Sequence, residues 1–282
     1  NLMRRIALRR RKIIFPAAVA IAAAAWVAWS NVSPEVTELT VESEKLPESF
    51  SGFRIAQISD LHNAEFGPGN MKLVSLLEEA APDIIVITGD MADSRSTRID
   101  ICLAFAEKCV QIAPTFYVTG NHEARIDEYP ELAAGLEEAG VTVLDNSSAA
   151  VERGGESISV IGVRGPPFTA GRASSTVASA LASLTGGDGY KILLSHRPEL
   201  FSTYVASGVD LVFAGHAHGG QVRLPVIGGL FAPGQGFFPE YDSGLYTSGT
   251  TRMIVSRGLG SSSFPVRIND RPEIIVAELI SK

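Results

Sequence analysis

Between residues 52 and 121 the chain alternates short apolar runs with helical periods: FRIAQISD, NMKLVSLLEEAAP, DIIVITGD, DICLAFAEKCVQIA and PTFYVTGN follow one another in that order. The apolar runs are β-branched and nearly continuous, as in strands buried on both faces, and the stretches between them carry helical periodicity. A βαβαβ order places helices over the faces of a sheet. Further on, YPELAAGLEEAG reads as a helix stopped by Gly140, VTVLDNSSAAVERGGESISVIGV as strands joined by Asn-Ser-Ser and Gly-Gly turns, and STVASALASL as a helix. YKILLSHRP, DLVFAGH, RMIVSRG and EIIVAELI read as strands. The second half is therefore mixed or antiparallel, and one α/β domain with two mixed sheets fits better than a single doubly wound sheet. No internal repeat and no Pro/Ser-rich linker divides residues 50–282.

The polar residues gather where strands end, in QISDLHN, VITGDMAD, YVTGNHEAR, LLSHRPE and FAGHAHGGQ. All five histidines of the chain, His62, His122, His196, His216 and His218, lie in these segments. Loops leaving the C-terminal ends of strands form the ligand crevice of an open α/β sheet, so the segments can converge although they span 160 residues of chain. Convergence would gather Asp60, His62, Asp90, Asn121, His196, His216 and His218. That donor set suits Mn, Fe or Zn better than calcium, and it is too large for one tetrahedral ion. Two ions sharing a carboxylate accommodate it. Gly89, Gly120 and Gly215 precede Asp90, Asn121 and His216, where a missing side chain lets the backbone turn and aim the next residue.

The ordered motifs D-x-H, G-D, G-N-H-E, H and G-H-x-H resemble the calcineurin-like metallophosphoesterase superfamily over roughly residues 52–280. The resemblance implies a four-layer sandwich of two mixed β-sheets flanked by helices, with two metals at the strand ends. It implies that Asp60, His62 and His218 hold one ion, that Asn121, His196 and His216 hold the other, and that Asp90 bridges them. It also implies in-line attack on phosphorus by a hydroxide between the ions, on a phosphodiester, pyrophosphate or phosphomonoester. His122 resembles the family's non-ligand histidine, which stabilises the transition state or protonates the leaving oxygen. Glu123, Arg125 and Arg197 sit beside the motifs, as substrate contacts or as partners in local salt bridges; Asn63 is a donor behind the ligands or a solvated surface residue. GQVRLP, GLYTSG and VSRGLG resemble a bacterial membrane-anchored branch that includes UDP-2,3-diacylglucosamine pyrophosphatase-like proteins. Two other readings are a non-catalytic metal-supported binding module on the same scaffold and a dinuclear hydrolase of C–N or thioester bonds. The module would be expected to have lost ligands, and the hydrolase would favour H-x-H-x-D-H, where Gly219, Gly220 and Gln221 stand here.

Before this domain, six basic residues (Arg4, Arg5, Arg9, Arg10, Arg11, Lys12) precede an uncharged run from Ile13 to Trp29. Its 17 residues would form a helix about 25 Å long, at the lower limit for crossing a bilayer core. The expected organisation is a basic cytoplasmic tail at 1–12, a transmembrane signal anchor or cleaved signal peptide at 13–30, a linker at 31–50 and the domain at 51–282. The next segment, NVSPEVTELTVESEKLPES, carries five glutamates and one lysine, so the positive-inside rule places the domain outside the cytoplasm. A nucleotide-sugar substrate would instead be cytoplasmic. The expected setting is thus a single-pass inner membrane protein acting on a phosphate ester, lipid-linked or from the cell envelope. Without those six residues, eighteen basic stand against 31 acidic residues, which argues against nucleic acid as a partner. FAPGQGFFPEYDSGLY and the residues before it offer apolar side chains near the histidine pair, to pack as core, receive an acyl chain or lie on a membrane. Cys102 and Cys109, seven apart on one helix, are about 10 Å apart along it and out of disulfide reach.

Overall fold

The computed structural model describes residues 2–165, 173–261 and 264–282, with side chains from Phe15 onward. A helix, α1 (Leu2–Asn31), leads into β1 (Glu35–Ser43). Then come β2 (Phe53–Ile58), α2 (Met71–Ala80), β3 (Ile84–Ile87), α3 (Ile99–Ile112), β4 (Thr115–Tyr117), α4 (Tyr129–Glu138) and β5 (Thr142–Val143). The second half holds β6 (Ser147–Arg153), β7 (Glu156–Gly162), α5 (Ala173–Leu184), β8 (Lys191–Leu194), α6 (Phe201–Ala206) and β9 (Leu211–Ala214). Two small hairpins follow, β10 (Arg223–Leu224) with β11 (Gly228–Gly229) and β12 (Phe231–Ala232) with β13 (Gly236–Phe237). The last strands are β14 (Gly244–Ser248), β15 (Thr251–Val255) and β16 (Glu273–Ser281).

Two six-stranded mixed sheets result, ordered β1-β16-β2-β3-β4-β5 and β14-β15-β9-β8-β7-β6. Each has a parallel centre, β2-β3-β4-β5 in one and β15-β9-β8-β7 in the other, with antiparallel strands added outside it. The sheets pack face to face through Ile55, Val86, Phe116 and Ile275 against Val160, Ile192, Leu211 and Phe213. On the outer face of the first sheet, Ile85 and Ile87 bury Leu73 and Leu77 of α2, Phe105 of α3 and Leu132 of α4. On the outer face of the second, Leu193 and Val212 bury Leu181 of α5 and Tyr204 of α6. This doubly covered arrangement explains why β3 and β9 are apolar at every position and β8 at every position after Lys191.

Residues 31–50 are not a linker. Glu35–Ser43 form β1, paired in parallel with β16 along their whole lengths, from Glu35↔Glu273 to Ser43↔Ser281. From Thr37 to Ser43 more and less exposed residues alternate, as in an edge strand with one face in water, and its partner β16 lies more than 200 residues further along the chain. The anchor expected at 13–30 falls within α1, which runs unbroken through Pro16. Among the described residues no helix is long and apolar enough to cross a membrane. Phe15, Val19, Ile21, Trp26 and Trp29 of α1 are nevertheless exposed. Cys102 and Cys109 are free and buried in α3, where burial pushes the Cys109 thiol up to about 12.

Candidate metal centre

Each expected ligand leaves the C-terminal end of a strand, and the loops are tied to one another through backbone bonds. Past β2 and β3, the N–H groups of Asp60, His62 and Asn63 donate to the carbonyls of Gly89, Asp90 and Met91, at 3.0 Å in each case. Past β15, Leu259 N–H donates to Ser59 O and Gly260 N–H to Asp60 O. Gln57 joins the two sheets, its amide donating to Thr88 Oγ1 and to Ala214 O.

The glycines act mostly by absence of bulk. Gly89 has a φ of +89°, but Gly120 and Gly215 are not left-handed. A Cβ on Gly120 would lie 2.1 Å from Asp90 Oδ1, and one on Gly215 would lie 1.9 Å from Ser59 Oγ. The turn itself is made by the candidate ligands: Asp60, His62, Asp90, His216 and His218 all have φ between 47° and 67°. Non-glycine residues held in that region cost about 1–3 kcal/mol each, and such strain concentrates at functional sites.

The side chains converge in two adjoining groups. Asp60, His62 and His218 form one and Asp90, His196 and His216 the other, with all ligand atoms of a group within 4.8 Å of one another. His62 Nε2 lies 3.3 Å from His218 Nε2, and His216 Nδ1 lies 3.2 Å from His196 Nε2. Imidazole nitrogens bound to one ion at ~2.0–2.1 Å stand about 3.0–3.4 Å apart, the spacing of both pairs. Asp90 Oδ2 faces both groups, 3.7 Å from His62 Nε2 and 3.2 Å from His196 Nε2. Asn121 is buried beside them, and its Oδ1, like Asp60 Oδ1, has no hydrogen-bond donor among the described residues. Two oxygens orphaned in this way fit a site built to face cations.

Partners behind the candidate ligands decide which of their atoms are left facing the centre. His196 Nδ1 lies 2.7 Å from the Thr88 carbonyl and must carry its proton, which leaves Nε2 for a metal. Asp60 Oδ2 accepts from Ser59 Oγ–H and from His216 N–H, leaving Oδ1 toward the centre. Burial alone would raise both aspartates, yet the adjoining histidines hold Asp60 and Asp90 well below the usual carboxylate range. Burial lowers His196 and His62, but Asp90 and Asp60 more than reverse this, taking His196 up to about 10. His216 and His218 are held neutral by burial, His218 down to about 3. Both shifts favour the protonated imidazole beside the carboxylates, so a metal would compete with protons at His196 and His62.

His122 stands at the edge of the first group, its ring 4.5 Å from that of His62. Ser94 N–H donates to His122 Nδ1 at 3.0 Å, so a neutral ring carries its proton on Nε2, the atom 4.0 Å from Asp90 Oδ2. Asp93 lies 3.5 Å from Nδ1 and, with His62 and His122, makes a third group of potential ligands.

Glu123 faces the protein interior. It is buried and accepts from the backbone N–H groups of Asp90, Ala92 and Gly120, clamping the loops after β3 and β4 together. Burial and then Asp90 push its carboxyl up to about 7, against those three bonds. Arg197 is buried with its Nε 3.6 Å from Glu199, whereas Arg125 is exposed. Asn63 bridges loops, donating to Ser96 O and accepting from Asp93 N–H. Arg267 was not among the expected residues. It is fully buried, donates to Gly260 O and pairs with Asp270, and its Nη2 lies 3.4 Å from His218 Nδ1. No motif marks it, because it sits 49 residues beyond the histidine it supports.

Two mixed sheets with paired histidine and aspartate donors at their strand ends define the class: a metal-dependent hydrolase of phosphate esters. Residues 53–220 match the calcineurin-like phosphoesterase family, and the chain belongs to it. It is 31% identical over 237 residues to "Phosphodiesterase YaeI" of Escherichia coli, covering 81% of this chain and 82% of that protein. It is 34% identical to a zebrafish (Danio rerio) "Transmembrane protein with metallophosphoesterase domain", over 86% of this chain and 56% of the relative's length. The fold resembles the crystal structure of TT1561 of Thermus thermophilus, with a TM-score of 0.50 and 18% identity over 74% of this chain and 91% of that one.

Proposed function

We propose that this metallophosphoesterase hydrolyses a phosphodiester at a two-metal centre. Asp60, His62 and His218 hold one ion, Asn121, His196 and His216 the other, and Asp90 serves both. The observation that carries this reading is the pair of adjoining donor groups with Asp90 facing each. Two bound divalent ions, of Mn, Fe or Zn type given the imidazole-rich donors, supply Lewis acidity toward phosphoryl oxygens and lower the pKa of a bound water. His122 presents Nε2–H to a phosphoryl or leaving oxygen. With Nδ1 taken by the Ser94 amide, the ring serves better as a hydrogen-bond donor than as a source of a second proton. Asp60 and Asp90 fix loop geometry as well, through the N–H groups of His216 and His122.

A diester is favoured over a monoester or a pyrophosphate by the name of the E. coli relative. We place the domain at a membrane through α1, supported by its exposed apolar side chains, the basic run before them and the name of the zebrafish relative. The charge asymmetry favours an extracytoplasmic site, and a reporter after Lys282 active only in the cytoplasm would overturn that. The natural substrate class is a lipid-linked phosphate ester; UDP-2,3-diacylglucosamine, a cytoplasmic pyrophosphate, is the contrasting substrate to assay.

The test is turnover of an aryl phosphodiester, an aryl monoester and UDP-2,3-diacylglucosamine by the Mn-loaded full chain. Metal-dependent turnover of the diester is expected. Stoichiometric metal without turnover of any ester would favour a binding module.

A further inference from the structure

The hairpins β10–β11 and β12–β13 lie directly on the turn that carries His218. A Cβ on Gly220 would meet Gly229 Cα at 2.4 Å, and Arg223 donates to both Gly219 O and Asp242. Asp242 also accepts from Gly229 N–H, so the first hairpin is braced from below. Above this rigid base, residues 224–238 contain no ionisable side chain. Val226 is fully exposed at 108%, with Phe237 at 71%, Ile227 at 64% and Phe238 at 62%. Val226 and Phe238 also hold left-handed φ angles of 71° and 54°, unfavourable for a β-branched or bulky residue. Water rewards neither the exposure nor the conformation, so the outward display calls for an apolar neighbour.

The same patch continues to α1. Val222 pairs with Ile268, and Phe264, Val266 and Ile268 are exposed. Between the last two, Arg267 exchanges backbone bonds with the side chain of Asn31, the final residue of α1, at 2.7 and 2.8 Å. Arg271 lies 5.1 Å over the ring of exposed Trp29. A helix with six basic residues in its first half and an uncharged, mostly apolar second half suits a bilayer with anionic headgroups, and its end is fastened beside the uncharged hairpins.

We propose that the hairpin tips at Val226–Ile227 and Phe237–Phe238 form a lipid-docking surface that seats the metal centre on the bilayer. Resting on the phosphoesterase reading, this narrows the substrate to an amphiphilic phosphate ester presented from the lipid surface.

The full chain carrying Val226→Cys is spin-labelled and reconstituted into phosphatidylglycerol–phosphatidylcholine vesicles. Cys102 and Cys109 are buried and escape labelling. Collision with a water-soluble nickel chelate is expected to be roughly tenfold weaker at 226 than for a Gln111→Cys probe on exposed α3 surface, with oxygen collision stronger, as for a group sunk below the headgroups. Equal nickel access at the two positions would overturn the docking surface. So would protection at 226 that appears only at high protein-to-lipid ratio, which would mean contact between copies. Because depth is read without turnover, an inserted probe on a protein inactive toward every phosphate ester would sink the phosphoesterase reading alone.

Discussion

Gly215 and Glu123 show how individual residues shape the centre without touching a metal. Gly215→Ala forces a methyl into Ser59 Oγ and to 2.4 Å from Asp60 Oδ2, so it should disturb Asp60 before it disturbs the core. The expected result is metal affinity reduced at least ~10-fold, as for lost outer-shell support, with an unchanged far-ultraviolet circular dichroism spectrum. Unaltered affinity would show that the loop yields. Glu123→Ala strips three buried N–H groups of their acceptor and should cost about 3 kcal/mol in denaturant unfolding. A loss below about 1 kcal/mol would mean that water replaces the carboxylate. The candidate ligands that the fold brings together could be picked out in the sequence because metal chemistry favours a few residue types, and these stand at strand ends. The brace could not: G-N-H-E reads equally well with Glu123 facing substrate, and only the fold turns it inward. Arg267 was hidden for another reason, since buried arginine is rare and no local pattern announces its partner.

At the scale of elements, β1 shows where reading along the chain stops. Only ELTVE, Glu38 to Glu42, alternates as an edge strand does, and the charged residues of the segment and its position beside an apolar helix look like a spacer. What makes it a strand is β16, and what fixes the pair is ionic: Arg257 reaches both Glu35 and Glu273, and Thr37 Oγ1 donates to Glu273. Burial would raise Glu273, but bonding to Arg257 lowers it further than burial lifts it. A carboxylate depressed on folding stabilises the fold at pH above its unfolded value of about 4.3, and that contribution fades as pH falls through the folded value. Wild type should therefore exceed Glu273→Gln in stability near neutrality, with the gap narrowing as the solution is acidified below about pH 4. A gap independent of pH would assign the difference to packing. The two hairpins after His218 were also illegible as strands, being two residues to a side and rich in glycine.

For the whole molecule, the parallel centres of two stacked sheets deliver ligands from five loops to one end, so metal binding should report on the fold as a unit. The βαβαβ order and the apolar runs made the first sheet readable; the pairing of chain ends through β1 and β16 required the three-dimensional structure. His122→Ala should keep both ions and lose activity by roughly 10²–10⁴-fold, because the ring supports reacting oxygens rather than the metals. Loss of metal in that variant would reassign His122, with Asp93, to the coordination sphere. The most direct test of the two-metal account is a titration of the metal-stripped full chain with Mn while aryl phosphodiester turnover is followed. Turnover that rises only as the second equivalent binds, with Asp90→Ala weakening both equivalents, is the expected result. Full turnover at one equivalent per chain, or an Asp90→Ala variant that still binds both ions with unchanged affinity, would contradict it.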